Sequence, residues 1–407
     1  MKNLSRRLAL GGLATTPLAL PGLLRAQTSS KPIRLGLLSD MGGPYRDVGG
    51  PGNRYAAEMA IADFGGSVLG RPIETLQADD QNKPDVSSTI AREWIDAQGV
   101  DVLMDGAGSS AGLAIQTVAK EKKRPYLITG PATSDMTGKS CTPYGIHFCY
   151  DTYALSHGTG TALTKSGGNT WFFITADYAF GHALERDTSA AAAAAGAKVL
   201  GSVRAPLGTA DFSSYLIQAQ ASGAKVIGFA NAGTDLQNCI KQSAEFGLTK
   251  GGVKIATLLM AINDVNSLSQ KVCEGLVYTD SFYWDMTDGT RAFAKRWGEK
   301  FGGMVPGILH AGNYCATNHW LKAVKAVGST DADAVVAKMK EMPVNDFYNK
   351  DVKIREDGRV MHEMYLWQVK PAASAKSKYD FCEKLSTIPA SEAWRPLSEG
   401  GCPLVKA

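Results

Sequence analysis

From Ile33 onward the chain alternates short apolar runs with amphipathic stretches of helical spacing, and that alternation restricts it to folds built on parallel sheets. A strand is expected over residues 33–39, followed by a Gly-rich loop over 42–52 and a helix over 55–64. Strands at 72–78, 100–104 and 125–129 then alternate with helices at 84–98 and 113–122. Pro84 stands in the first turn of its helix, where a missing N–H costs little. After Tyr150 the pattern starts afresh, with strands at 171–175, 198–203, 226–230 and 253–260. The stretches opening Gly99-Val100-Asp101-Val102 and Gly223-Ala224-Lys225-Val226 read as one strand–helix–strand construction used twice. The expected fold class is therefore α/β, with two Rossmann-like lobes around parallel-sheet cores.

Helical patterns at 291–301, 313–327 and 332–339 have no strands of their own, so they must pack on a sheet already formed. Strands at 352–354 and 361–369 bracket an Asp357-Gly358 turn. The chain is expected to return to the first lobe after about Phe282 and to the second after about Val344. Lobe 1 would then comprise residues 32–150 and 283–344, and lobe 2 residues 151–282 and 345–407. Three crossings make a hinge, with the cleft between the lobes as the binding site.

Residues 1–26 stand apart from this pattern. Ser5-Arg6-Arg7-Leu8, an apolar stretch to Leu24 and Arg25-Ala26 read as a twin-arginine export signal, so a soluble periplasmic protein is expected. The segment holds Lys2, Arg6, Arg7 and Arg25 and no acid, which accounts for the whole formal charge of +4. Of 43 Lys and Arg, 39 remain beyond it against 39 Asp and Glu. A neutral mature chain offers nothing electrostatic to nucleic acid or an anionic membrane. No later run is long and apolar enough to span a bilayer.

The seven Cys include no C-x-x-C and the six His lack metal-ligand spacing, so neither a metal nor a cofactor is expected. Cys239, Cys273 and Cys315 fall in apolar patterns and read as buried. Cys141, Cys149, Cys382 and Cys402 flank loops. A Cys141–Cys402 bridge is expected, with Cys382–Cys402 as the alternative.

Gly108-Ser109-Ser110-Ala111-Gly112 matches G-x-S-x-G between a strand and a helix, the setting of a hydrolase nucleophile elbow. Ser110 would be the nucleophile, with His310, His319 or His362 as base. The simpler use of the same loop is to hold an anion on Ser hydroxyls and free N–H groups at a helix N-terminus. A second such loop, Gly130-Pro131-Ala132-Thr133-Ser134-Asp135, follows the next strand. The two converge at the carboxyl edge of a parallel sheet, where open α/β folds bind ligands. The first loop, around Tyr45, does not spell a dinucleotide fingerprint, and Tyr45 would wall a cleft.

With Ile33 to Pro44, Ala78-Asp79-Asp80, Ser109-Ser110, Ala132-Thr133, Ala176 to Gly181 and Phe246-Gly247-Leu248 in this order, the chain resembles the periplasmic solute-binding proteins of branched-chain amino-acid-type ABC transporters. The resemblance implies a type I periplasmic-binding fold, a monomer closing on a small carboxylate ligand, and a membrane ABC permease as partner. It puts the ligand carboxylate on the loops that carry Ser109 or Ser110 and Ala132-Thr133. The second lobe would add Phe180, Asn231 and Met260, and a return segment His310; Tyr45, Tyr153, Tyr283 and Trp284 would supply aromatic walls. Where amino-acid binders of this family place an acid for the ligand ammonium, this chain has Met260-Ala261, with Asp264 the nearest carboxylate. A ligand without an α-amine is therefore expected, because burying an unpaired ammonium is costly. A ligand-sensing receptor of the same fold and an exported Ser hydrolase are the other functions the sequence allows.

The leader reading predicts that Arg6→Lys with Arg7→Lys retains the precursor in the cytoplasm. Immunoblotting of periplasmic and cytoplasmic fractions checks this, and mature double mutant in the periplasm would refute it.

Overall fold

The computed structural model describes residues 31–406, apart from the side chain of Lys250, so the expected export signal lies outside the described residues. Among the described residues, thirteen strands form two sheets. The first sheet contains β1 (Ile33–Ser39), β2 (Ser67–Val68), β3 (Arg71–Asp79), β4 (Val102–Asp105), β5 (Tyr126–Ile128) and β6 (Gly145–His147). The second contains β7 (Thr170–Ala176), β8 (Lys198–Ala205), β9 (Val226–Ala230), β10 (Lys254–Thr257), β11 (Val277–Asp280), β12 (Met364–Val369) and β13 (Cys382–Ile388). Their spatial orders are β2-β3-β1-β4-β5-β6 and β13-β12-β11-β10-β9-β7-β8. Pairing is parallel except at β2–β3, β11–β12 and β12–β13. Two α/β lobes with mostly parallel sheets therefore stand as expected, each with an antiparallel edge.

Burial on both faces explains why the central strands read as continuous apolar runs: β4, β5 and β9 are buried at every residue. The edge strand β13 is exposed along most of its length, and its sequence CEKLSTI hides its strand character. Helix Ile308–Val327, which follows β11, packs on helix Gly50–Asp63.

The last crossing comes later than about Val344. Val344 and Val352 pair in an antiparallel bridge, and Arg359 bridges to His147 at the end of β6. Residues 344–360 therefore extend the first lobe's sheet, and the chain crosses only between Val360 and Met364. The tail after β13 also differs from the expected assignment to lobe 2. It runs back to the first lobe, where Cys402 bonds Cys141 and the Arg395 side chain donates to Ser134 O at 2.8 Å. The lobes are thus joined by three hinge segments and a disulfide-tied strap.

The hinge segments are cross-linked to one another. Val360 N–H donates to His147 O at 3.0 Å, His362 Nε2 lies 2.6 Å from Phe148 O, and Ser281 Oγ donates to Cys149 O at 3.3 Å. Arg359, fully buried, donates to Tyr150 O at 3.2 Å and sits 3.7 Å from Asp151. Trp394 of the strap caps this knot, its indole N–H donating to His362 O at 2.8 Å and its ring lying 4.0 Å from the Arg359 guanidinium carbon.

Cys382 is not bridged; it is buried and free, as are Cys149, Cys239, Cys273 and Cys315. Denatured protein should accordingly titrate five thiols without reductant and seven with it. Cys402→Ser should lower stability by about 2–5 kcal/mol, as expected for loss of a native bridge closing a long loop. Unchanged thermal and denaturant unfolding of that variant would contradict the role of the strap.

Candidate functional site

Each sheet reverses its strand order once, between β1 and β4 in the first lobe and between β7 and β9 in the second. Ligands of open α/β sheets bind outside the carboxyl ends of the strands at such reversals. Here the two reversals face each other, and their loops line a cleft between the lobes.

The first-lobe wall begins with the loop after β1. Asp40 accepts the Gly43 and Tyr45 backbone N–H groups at 2.6 and 3.0 Å, and this turn carries Tyr45 to the cavity. After β4 the chain turns through the left-handed region at Asp105 (φ 68°), Gly106 (φ 99°) and Ala107 (φ 31°) before helix Ser109–Lys122 starts. Left-handed backbone at a non-glycine residue persists only where the surroundings hold it, and such strain gathers at functional sites. Asp105 accepts from Ser39 Oγ and Asn53 Nδ2, both at 2.8 Å, and its carbonyl accepts the Tyr126 hydroxyl at 2.6 Å.

Ser109 lies at the mouth of that helix. Its Oγ accepts the N–H groups of Ala132 at 3.2 Å and Thr133 at 3.0 Å, locking the two loops together. With its lone pairs engaged, the Ser109 hydroxyl proton is left to donate. The glycines of the G-x-S-x-G stretch have packing reasons: a Cβ on Gly108 would lie 1.9 Å from Asn82 Oδ1, and one on Gly112 2.4 Å from Pro131 Cγ.

Tyr178 and Phe180 after β7, Ala232 and Gly233 after β9, and Leu259, Ala261 and Asp264 after β10 form the second-lobe wall. The lobes touch across the cleft. The Tyr45 and Tyr178 hydroxyls are hydrogen-bonded, Thr234 N–H donates to Pro44 O at 3.1 Å, and Asn263 Nδ2 donates to Asp47 O at 3.1 Å. Gly233 (φ +59°) is required by the approach, since a Cβ there would lie 2.2 Å from Pro44 O.

Six helices begin at this cavity and present N-terminal residues to it: Gly50, Ser109, Phe180, Gly233, Ala261 with Asp264, and Ile308. Their first N–H groups lack intrahelical acceptors and give the cavity positive potential. Among the described residues no Lys, Arg or His lines it, while Asp40, Asp105 and Asp264 do. Burial pushes the Asp105 and Asp264 carboxyls up to about 6. Both Asp264 oxygens are engaged, by Gln237 Nε2 at 2.8 Å and Ala261 N–H at 2.9 Å. Among the described residues no cluster suited to a metal ion occurs.

Of the residues singled out from sequence, Tyr45, Ser109, Ala132 and Phe180 line this cavity, and so does Asp264, the carboxylate nearest to Met260-Ala261. The others do not. Ser110 follows Ser109 by one helical step and is not part of the lining. Thr133 caps the next turn, accepting Asp135 N–H at 3.3 Å. Asn231 donates to Cys239 Sγ at 3.1 Å, and Met260 is buried in the second lobe's core. Tyr153 stacks on His157, and Tyr283 packs on Trp367 with its hydroxyl donating to Tyr379 O at 3.0 Å. Trp284 likewise donates to Tyr379 O, at 3.0 Å. His310 lines a neighbouring groove, stacked on Trp297, and burial lowers its pKa to about 4. Sequence reasoning missed Asn53, Asp105, Tyr150, Tyr178 and Leu309. Tyr178 was within reach, because it stands at the carboxyl end of a strand, in the loop that carries Phe180.

A cleft at paired switch points between two lobes defines a two-lobed binding protein. Residues 32–377 match the model of the periplasmic binding protein family, and the chain belongs to that family. A periplasmic binding protein from Burkholderia mallei is 46% identical, with 92% of this chain and 100% of that one covered and a TM-score of 0.90. A branched-chain amino acid ABC transporter periplasmic ligand-binding protein from Burkholderia xenovorans LB400 is 39% identical, covering 91% and 99%, with a TM-score of 0.81. A solute-binding protein from Rhodopseudomonas palustris BisB5 in complex with 3,4-dihydroxy benzoic acid shares the fold (23% identity, 89% and 98% covered, TM-score 0.80). The Leu/Ile/Val-binding protein homolog 6 of Brucella melitensis is 25% identical over 245 residues, which span 60% of this chain and 62% of that relative's length.

Ser109→Ala removes a donor and leaves two backbone amides without their acceptor, so ligand affinity should fall by about 1–3 kcal/mol. Ser110→Ala should change it by less than about 0.5 kcal/mol, as for a substitution away from the contact. Calorimetry on the two variants decides, and equal losses would return Ser110 to the site.

Proposed function

We propose that this protein is a periplasmic receptor of an ABC importer that binds a small carboxylate with an aromatic or other hydrophobic body. The observation that carries the reading is the composition of the cavity wall. Helix N-termini and the Ser109 hydroxyl supply donors for a carboxylate without any cationic side chain, and Tyr45, Tyr150, Tyr178, Phe180, Leu259, Ile308 and Leu309 surround the remaining space. An α-amine would have to share Asp40, Asp105 and Asp264, which already accept internal hydrogen bonds, and burial pushes two of these, Asp105 and Asp264, toward their neutral forms. The fold relative holding 3,4-dihydroxy benzoic acid supports the same ligand class.

The mechanism is hinge closure. A ligand held by Ser109 of one lobe and the loops carrying Phe180 and Gly233 of the other favours the state in which Tyr45 meets Tyr178. Delivery to a membrane permease, action as a monomer and twin-arginine export are parts of this proposal. The hydrolase alternative lacks support. Ser110 shares no hydrogen bond with a histidine among the described residues. His310 Nδ1 accepts Gly307 N–H, His319 Nε2 is 2.9 Å from Met339 O, and His362 Nε2 meets Phe148 O.

In a thermal-shift panel, aromatic acids should raise the melting temperature more than leucine, isoleucine or valine. Sub-micromolar binding of the branched-chain amino acids with no response to aromatic acids would overturn the ligand class.

The pH dependence gives a second check. Asp105 and Asp264 are raised to about 6, and an anion arriving beside them favours their protonated forms. Binding then takes up protons, so affinity should rise from pH 7.5 to 5.5 while the ligand carboxylate stays ionised. A ligand bringing an ammonium would show the opposite slope.

A further inference from the structure

Among the described residues lining the cavity, two buried side-chain atoms lack a hydrogen-bond partner: Asn53 Oδ1 and Asn263 Oδ1. The second is turned toward the start of helix Ile308–Val327, since a Cβ on Gly307 would lie 2.4 Å from it. Asn53 Oδ1 remains. Asn53 stands in the first turn of helix Gly50–Asp63, is 1% exposed, and donates through Nδ2 to Asp105 Oδ2 at 2.8 Å. Turning the amide over would not relieve the oxygen. It would set one acceptor against another, because Asp105 Oδ2 accepts both this bond and the one from Ser39. An unmet buried carbonyl oxygen is costly, so native structures rarely leave one without a purpose.

We propose that Asn53 is a specificity-determining residue whose Oδ1 receives a hydrogen bond from a hydroxyl group on the ligand. This rests on the reading of the ligand as an aromatic carboxylate and narrows it to hydroxylated members of that class. Stoichiometry separates a hydroxyl from an ammonium. One unmet acceptor matches the single proton of a hydroxyl, whereas an ammonium brings three donors to a wall whose carboxylate oxygens are already engaged. Asp105 acts here as a positioning residue, since its carboxylate fixes which way the Asn53 amide points.

The test is calorimetric titration of the full-length mature protein with benzoate, the 2-, 3- and 4-hydroxybenzoates and the matching fluorobenzoates, which have nearly the same size but no donor. One hydroxybenzoate isomer should bind roughly tenfold tighter than its fluoro counterpart, the order expected when a buried acceptor gains its donor. In Asn53→Leu that ratio should fall close to one, whatever the variant's overall loss of affinity. Hydroxy and fluoro compounds binding the wild type alike would overturn this inference and leave the proposed function standing. A hydroxyl preference that survives in Asn53→Leu would overturn the assignment to Asn53. Binding of leucine with no response to any benzoate would overturn the proposed function and this inference with it. If Asn53→Leu does not fold, Asn53→Ala takes its place, and a hydroxyl preference that survives in Asn53→Ala would overturn the assignment.

Discussion

The buried carboxylate of Asp105 is the point on which the first lobe's half of the site depends. It sits at the end of β4 in left-handed backbone and holds Ser39 at the end of β1 and Asn53 on helix Gly50–Asp63. Its own carbonyl takes the hydroxyl of Tyr126 on β5, and the next N–H, that of Gly106, donates to Leu38 O at 2.7 Å. Three parallel strands and a helix are thereby tied at the carboxyl edge of the sheet. The turn this creates aims helix Ser109–Lys122 so that its first residue, rather than its second, meets the cavity. A buried acid with several donors and no cation is a costly choice, and its carboxyl is accordingly pushed up to about 6. The gain is a rigid seat for Ser109 and Asn53, the two side chains proposed to address a ligand from this lobe.

The electrostatics of the cavity follow from the same architecture. In a doubly wound sheet every helix that follows a strand begins at the carboxyl edge, so the switch points collect N-termini whether or not the sequence supplies basic residues there. Two lobes facing edge to edge double the effect. The lining acids offset part of that potential, which leaves a site able to accept a single negative charge without an Arg or Lys to clamp it. In the proposed reading, anion recognition is a property of backbone placement, and the side chains decide what is attached to the anion.

That division explains what could be read in advance. The alternation of apolar runs and amphipathic helices showed two α/β lobes, and the loops after β4 and β5 were placed at the site from turn chemistry alone. Individual side chains were harder. Ser109 and Ser110 are indistinguishable by type, and only the phase of the helix start separates them. Tyr153, Tyr283 and Trp284 look like cleft aromatics in sequence, yet each is drawn into packing by a partner remote in the chain, as Tyr283 is by Trp367 and Tyr379. Asn53 and Asp105 carry no motif; they matter because strands β1 and β4 lie side by side, a fact of sheet order that spacing does not encode. The late third crossing was hidden because residues 344–360 join the first lobe through isolated bridges, too short to leave a pattern.

The strap gives the hinge a property that three crossings alone would lack. Three segments bonded side by side can bend together, because their mutual hydrogen bonds run across the direction of opening. The tail adds a fourth link that starts on β13 of the second lobe and ends at Cys141 of the first, with Trp394 seated on Arg359 between the crossing strands. The Arg359–Trp394 contact thus lies where the crossing strands and the strap meet. Movements that slide one lobe past the other would have to break that contact or the Trp394–His362 hydrogen bond. With the lobes together Gly233 lies against Pro44, and at that contact there is no space for even one added methyl group.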